Sequence, residues 1–131
     1  MAGLSNQSFT DLDVWKCARK LKIRIWELVK TFPAEEKYRL SNQLIRSSRS
    51  ICAVIAEGYG KFTYKDKTNY CMIGRGSLSE TWNHIIDAFD SEYITKDELT
   101  SIKIDINETA KLLNGYINFL KGIAVKEKIT K

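Results

Sequence analysis

The residue types that could do chemistry are few in this chain. His84 is the only histidine, and Glu80 precedes it by four residues, so the two side chains could form a hydrogen bond on one helix face. One histidine beside one carboxylate lacks a nucleophile, a metal shell and a second titratable partner. The sequence also contains no P-loop, no Rossmann glycine pattern, no HExxH and no paired CxxC. We therefore predict that the protein is not an enzyme and uses no metal and no cofactor.

The three cysteines do not suggest a redox or metal site. Cys17, Cys52 and Cys71 are an odd number, lie far apart in sequence and have apolar neighbours. No histidine spacing that would complete a zinc site accompanies them. We interpret them as small buried residues of a protein from a reducing compartment, with a disulfide or a metal as the alternative.

Residues 43–60 carry the most ordered set of polar groups. Placed on a helix at about 100° per residue, this stretch puts aliphatic side chains on one side. The opposite side carries two guanidinium groups, a hydroxyl and a carboxylate at spacings of three and four, namely Arg46, Arg49, Ser50 and Glu57. We interpret Glu57 as a structural carboxylate that pairs with one of the two arginines.

The positive charge of the chain is distributed unevenly. The formal net charge is +5 and the pI is about 9.1. Residues 1–61 hold 11 Lys/Arg against 6 Asp/Glu, whereas residues 62–131 hold 10 of each. A one-sided basic surface is typical of proteins that bind polyanions, although a mild excess of this size is also common in proteins that bind no nucleic acid.

Helical periodicity extends over almost the whole chain. Apolar residues recur at spacings of three and four over residues 11–32, 35–59, 64–91 and 96–122, and a basic tail that we expect to be frayed covers 123–131. Pro33 ends the first segment, and the Thr95-Lys96-Asp97-Glu98 capping box opens the fourth. Because the links are short and no strand alternation is present, we predict an all-α, antiparallel up-down-up-down four-helix bundle in a single domain, residues 1–131.

The third segment contains two glycines where a helix should have none. Gly74 and Gly76 would each cost about 1 kcal/mol relative to alanine in a helix interior. Close approach of a neighbouring backbone would explain them, and we expect the tightest crossing with the second helix there, at Gly74, Gly76 and Ser77. A break into two shorter helices is the alternative.

The first helix has more apolar surface than one neighbour requires. Trp15, Ile23 and Trp26 lie at or beyond the shoulder of its apolar side, close to Arg19 and Lys22. This pattern has three interpretations: a subunit interface, aromatic platforms on which bases stack, or a core whose edges are covered by lysine stems.

No segment of the sequence suggests a membrane. No apolar run approaches the roughly 20 residues that cross a bilayer. The first residues, Met1 to Phe9, lack the basic and apolar regions of a signal peptide. We therefore predict a soluble, cytoplasmic protein with no membrane partner and no small-molecule substrate.

Several short motifs are distributed over nearly the whole chain. They are Leu12-Asp13-Val14-Trp15, Phe32-Pro33 with Glu35-Glu36, Gln43-Leu44-Ile45-Arg46, Ser50-Ile51, Ile55-Ala56-Glu57-Gly58 and Gly76-Ser77-Leu78-Ser79-Glu80. In combination they resemble a known family, the four-helix-bundle proteins encoded by intervening sequences within bacterial 23S rRNA genes. A more distant similarity is to the accessory proteins of diversity-generating retroelements. Asparagine is usual in the family where this chain has Val54, and a second arginine where it has Ile45.

The resemblance implies a homo-oligomeric bundle, known in this family as a ring of five, whose basic surface meets nucleic acid and for which no enzymatic activity is established. Our first hypothesis is therefore an RNA- or DNA-binding homo-oligomer, with Trp15, Ile23 and Trp26 in the subunit interface. The alternative is a structural or adaptor bundle that acts through protein contacts, such as a reverse-transcriptase accessory. The residues predicted to contact phosphates are Arg19, Lys20, Lys22, Arg24, Arg46, Arg49, Lys61 and Lys65.

Overall fold

Four α-helices account for most of the chain. The computed structural model describes residues 8–130, without the side chain of Thr130, and leaves the first residues and the end of the predicted tail, Lys131, outside the described part. Within that part no strand is present. The helices are α1 (Asp13–Val29), α2 (Leu40–Tyr59), α3 (Tyr64–Asp90) and α4 (Lys96–Thr130), and single 3-10 turns cover Phe9–Asp11 and Ala34–Glu36.

Each helix packs against two neighbours, so the four form a closed bundle. α2 contacts α1 and α3, α4 contacts α3 and α1, and there is little contact across the diagonals. Pairs of contacting residues run in opposite directions along neighbouring helices: Ser47 meets Thr81 while Ser50 meets Ser77. This confirms the predicted antiparallel, up-down-up-down arrangement.

The interior consists of one apolar side from every helix. These sides follow from residues spaced three and four apart, which a helix brings onto one face. The largest fully buried aliphatic side chains are Leu21, Ile25, Leu44, Ile51, Ile55, Ile85, Ile102, Leu113, Ile117 and Leu120.

Side-chain caps fix where α3 and α4 begin. The Thr95 hydroxyl accepts a hydrogen bond from the Glu98 amide at 3.1 Å, and the Glu98 carboxylate accepts one from the Thr95 amide at 2.9 Å. The Thr63 hydroxyl accepts from the Asp66 amide at 3.1 Å. Both starts are therefore set by local sequence, as the capping motif predicts.

The predicted bounds of the first two helices were too wide. α1 begins at Asp13 because residues before it form a 3-10 turn that Ser8 caps, and it closes in a tight last turn in which the Thr31 hydroxyl donates to the Leu28 carbonyl at 2.7 Å. α2 begins at Leu40 rather than at residue 35. Residues 37–39 are all exposed, so no burial of apolar surface holds them in a helix.

The predicted end of the fourth helix at residue 122 was wrong. α4 passes through Gly122 and continues to Thr130. Ala124 and Val125 share a surface depression with Thr63 and Lys65 at the start of α3. The end of α4 therefore has a neighbour to pack on, which the local sequence did not reveal.

Small residues let α2 and α3 approach closely. A Cβ atom added at Gly74 would lie 3.1 Å from the Val54 side chain, whereas one at Gly76 would meet nothing within 4 Å. The tight crossing was thus correctly predicted at Gly74 but not at Gly76, and α3 continues without a break. The closest approach lies at Gly58, which the sequence analysis missed: an added Cβ would lie 2.9 Å from the Tyr70 Cβ.

All three cysteines are free thiols. Cys52 and Cys71 are buried, while Cys17 is half-buried, with its Sγ 3.3 Å from the Thr109 hydroxyl. Burial raises the pKa of the Cys71 thiol to about 11 and is the main cause that raises the pKa of the Tyr116 hydroxyl to about 12. Both groups are therefore held in their neutral forms at neutral pH.

Alanine substitutions at two helical glycines should change stability in opposite directions. Gly58→Ala places a Cβ against Tyr70 and, at 3.2 Å, the Lys67 carbonyl oxygen, so we expect it to lower the free energy of unfolding by about 1–3 kcal/mol. Gly76→Ala enters open space and should raise it by about 0.5–1 kcal/mol. Urea denaturation of both variants measures the difference; a stabilised Gly58→Ala variant would contradict the close α2–α3 contact.

Stability should fall in alkaline solution because of the buried thiol. The ordinary pKa of a cysteine is 9.0 and that of Cys71 is raised to about 11, so between these values the folded chain keeps a proton that the unfolded chain loses. The free energy of unfolding should therefore decrease as pH rises from about 9 to about 11. Cys71→Ala should flatten this decrease in urea denaturation across the same range; an unchanged slope would contradict the assignment.

Candidate nucleic-acid interface

A groove lined by cations and apolar side chains runs between α1 and α2. Lys22, Ile23 and Trp26 of α1 and Arg49 of α2 line its first part. Its second part has a volume of about 400 Å³ and continues from Trp26 to Lys37. We call the two parts together the cationic groove. Trp26 shares a face of α1 with Lys22 and Ile23, which precede it by four and three positions, and Lys30 follows it by four at the end of the helix.

Trp26 lies at the junction of the two parts. Its side chain is 43% exposed, and Ile23 beside it is 48% exposed. The Arg49 Cζ lies 5.4 Å and the Lys30 Nζ 5.3 Å from the centre of a Trp26 ring. Lys30 also pairs with Glu27 at 3.2 Å. The indole thus makes cation–π contacts with a guanidinium of α2 and with an ammonium at the end of α1.

The second part of the groove has an apolar floor and a basic rim. Lys30 and Lys37 stand on the rim, and the Lys37 Nζ lies 5.4 Å from the ring centre of Tyr38, which is 83% exposed. No carboxylate is among the residues that line either part. The remaining lining residues are Val29, Phe32, Pro33, Ala34, Ser41 and Ile45.

Trp15 and Arg19 extend the same side of α1 but interact within the subunit. The Trp15 ring meets the Phe9 ring edge-on at 5.3 Å, and the Arg19 Cζ lies 5.8 Å from its centre. Trp15 is half-buried. Burial raises the pKa of the Cys52 thiol on α2, and the charges of Lys22 and Arg19 oppose that rise, because both cations are close to α2.

Arg24 lies on the other side of α1, where its side chain contacts α4. Its guanidinium donates to the Asp105 carboxylate and, at 2.7 Å, to the Ser101 hydroxyl. This arginine therefore joins two helices of the bundle, and its charge is already matched. Lys20, also predicted to contact phosphate, is exposed on α1.

Arg46 likewise forms an ion pair with a carboxylate of a neighbouring helix, α3. It donates to the Glu80 carboxylate, which also lies 3.3 Å from the His84 Nε2. The predicted Glu80–His84 hydrogen bond is therefore confirmed. The predicted pairing of Glu57 with an arginine was wrong: Glu57 is exposed and takes part in none of the ion pairs of residues 8–130, because Glu80 from the neighbouring helix reaches Arg46 instead.

Lys61 and Lys65 lie at the far end of the bundle. The Lys61 Nζ lies 4.9 Å from the ring centre of Tyr70, and Lys65 borders the depression next to Val125. The eight predicted phosphate contacts thus fall at several separate places. The structure brings Lys22 and Arg49 together with Trp26 and Ile23, and places the other six outside the groove.

Sequence reasoning missed two cations of the groove, Lys30 and Lys37, and the exposed Tyr38 next to it. Lys30 follows Trp26 by four positions, a spacing that predicts contact on a helix. Lys37 and Tyr38 carried no such signal, since their place depends on the bend after Pro33.

Groups that could support other chemistry are scarce in the described structure. Between residues 8 and 130, no group of three or more His, Cys, Asp or Glu side chains could hold a metal ion. None of the helices described here is both long and apolar enough to span a bilayer.

Comparison with known proteins identifies the family. Residues 10–115 match the model of the 23S rRNA-intervening sequence protein family. The fold is similar to the crystal structure of a protein of unknown function from the S23 ribosomal protein family of Bacteroides thetaiotaomicron, with a TM-score of 0.74 and 31% identity over 80% of this chain and 95% of that one. No curated protein matches the chain significantly. The chain therefore belongs to the 23S rRNA-intervening sequence protein family.

Proposed function

We propose that the protein binds nucleic acid through the cationic groove, without catalysing a reaction, and does so as a homo-oligomer. The observation that carries this proposal is the surrounding of Trp26. A half-exposed indole lies in a groove whose charged lining residues, Lys22, Lys30, Lys37 and Arg49, are all positive. A basic surface of this kind attracts the phosphates of nucleic acids.

The other arginines help to explain why the groove is the preferred surface. Arg24 and Arg46 are each neutralised by a carboxylate of a neighbouring helix. A phosphate that approached them would compete with Asp105 or Glu80. A phosphate that approached Lys22 or Arg49 would displace no carboxylate that lines the groove, so these cations can contribute more to affinity.

Assembly would strengthen a contact of this kind. Each subunit carries a net charge of +5, and a symmetric homo-oligomer repeats the groove once per subunit. Several grooves on one RNA raise the effective concentration of each further contact. The description of the family refers to 23S rRNA, so structured RNA is the first ligand to test.

A second candidate function is a structural or adaptor bundle that uses the same face for a protein partner or a second subunit. Ile23 and Trp26 favour it, because they are 48% and 43% exposed and continue into an apolar floor. Under this alternative their exposed area would be covered by protein, as the sequence analysis expects for the subunit interface.

Charge reversal in the groove should weaken RNA binding. For the double variant Lys22→Glu/Arg49→Glu we expect about a tenfold or greater loss of affinity for structured RNA and a shallower salt dependence, because two phosphate contacts are replaced by repulsion. The measurement is fluorescence anisotropy over a salt series, with duplex DNA as a second ligand.

The matched control is Lys103→Glu/Lys111→Glu, which makes the same change in net charge on exposed positions of α4. It should lower affinity much less than the groove variant. Equal losses in the two variants would show that only net charge matters, and no binding by the unchanged protein at low salt would refute the proposed function.

The mass in solution, measured by light scattering, should show whether the protein assembles and whether the groove is part of the subunit contact. We expect a mass that is a multiple of the 15.1 kDa chain, with subunit contacts outside the groove. We propose Met72 and Ile73 of α3 for this contact because they are adjacent apolar residues, 43% and 54% exposed, on a helix that does not border the groove. Ile73→Asp should therefore lower the mass and Ile23→Asp should not. A monomer would refute assembly, and dissociation by Ile23→Asp would assign the groove to the second candidate.

A further inference from the structure

The Trp26 ring is placed as a platform rather than as part of the core. It is 43% exposed, and its flanking cations lie 5.3 and 5.4 Å from a ring centre. These distances are those of cation–π contacts, in which each cation lies over the ring. A base that stacks on the indole would therefore take the place of one of these cations, which would then be free to contact the adjoining phosphate.

A second exposed ring adjoins the far end of the groove. Tyr38 is 83% exposed, and Lys37 on the groove rim lies 5.4 Å from its centre. The groove thus offers an aromatic ring with neighbouring cations at each end and an apolar floor between them. Proteins that hold single strands use this combination, with bases stacked on rings and phosphates on nearby cations.

We infer that the cationic groove binds unpaired nucleotides, a class of ligand that narrows the nucleic-acid binding proposed above and rests on it. One base stacks on Trp26, the following segment lies along the apolar floor towards Tyr38, and Lys22, Lys30, Lys37 and Arg49 contact the phosphates. The preferred ligand is a single-stranded or looped segment.

A regular duplex cannot use the two rings in this way. Its bases are covered on both faces by their neighbours, so an aromatic side chain on the protein surface reaches only backbone and groove edges. Duplex binding would draw on the four cations alone. The contribution of Trp26 should therefore be specific to unpaired nucleotides.

An acidic peptide could satisfy the same lysines, but the arrangement of rings favours nucleotides. Each of the two exposed rings has a cation within 5.4 Å, and a negatively charged carboxylate side chain gains nothing from stacking on an aromatic face. A base has a face for the ring and a phosphate for the cation beside it.

The test compares a single-stranded RNA oligonucleotide with a duplex of the same sequence, measured by fluorescence anisotropy at one salt concentration. Trp26→Leu should weaken binding of the single strand by roughly tenfold and leave duplex binding almost unchanged. Trp26→Phe should recover most of the loss because it keeps an aromatic ring. Thermal unfolding checks that all variants are folded.

A second readout follows Trp26 directly. Titration with the single-stranded oligonucleotide should quench tryptophan emission in the unchanged protein, and Trp26→Leu should abolish most of the quenching although Trp15 and Trp82 remain. Polyglutamate serves as the acidic probe and should not quench. Quenching by polyglutamate, together with its displacement of RNA, would overturn the inference in favour of an acidic protein partner.

The remaining outcomes separate the two proposals. If Trp26→Leu binds the single strand like the unchanged protein while Lys22→Glu/Arg49→Glu does not, stacking is overturned and electrostatic binding stands. If Trp26→Leu weakens single strand and duplex equally, the preference for unpaired nucleotides is overturned. If the unchanged protein binds neither RNA at low salt, the proposed function fails and the inference fails with it.

Discussion

The contact between α2 and α3 is the constraint on which the rest of the bundle depends. Two hydroxyl pairs lie within it, Ser47 with Thr81 and Ser50 with Ser77, each at 2.9 Å. Such pairs satisfy buried polar groups only in one register, and Gly58 allows the backbones to come close. The rotation of α2 about its own axis is therefore fixed. Because the side of α2 that carries Ser47 and Ser50 faces α3, the side that carries Arg49 faces α1.

The rotation of α2 determines which of its arginines meet a carboxylate of a neighbouring helix and which do not. The arginines that face α3 and α4 meet carboxylates there, Arg46 with Glu80 and Arg24 with Asp105. Arg49 faces Trp26 instead, and no carboxylate lines the groove between them in the described part of the chain. These arginines are the same residue type and differ in the side chains that they meet. A net charge of +5 therefore describes the surface less well than the pairing of individual residues.

Local sequence predicted features that depend on neighbouring residues in the chain, but it did not predict the ion pairs between different helices. Spacing and capping residues predicted four helices, the start of α4 at the Thr95–Glu98 box and the common face of Lys22 and Trp26, because all of these depend on neighbours within one or two turns. The partner of Arg46 is 34 residues away and that of Arg24 is 81. Glu57 lay at the right helical spacing, but Glu80 reaches Arg46 from another helix. The extension of α4 likewise depends on α3, far away in the chain.

The groove differs from the rest of the surface in a way that folding does not require. Stability alone would favour covering the indole and placing carboxylates among the lysines, since exposed apolar area and clustered like charges both carry a cost. At the α1–α4 and α2–α3 contacts the chain does match its arginines with carboxylates. Between α1 and α2 it leaves Trp26 half-exposed and lines the groove with four cations. Of these, Lys30 pairs with Glu27, whereas Lys22, Lys37 and Arg49 take part in none of the ion pairs of residues 8–130. These three unpaired cations, which the fold does not neutralise, are the ones on which the proposed binding of nucleic acid depends most.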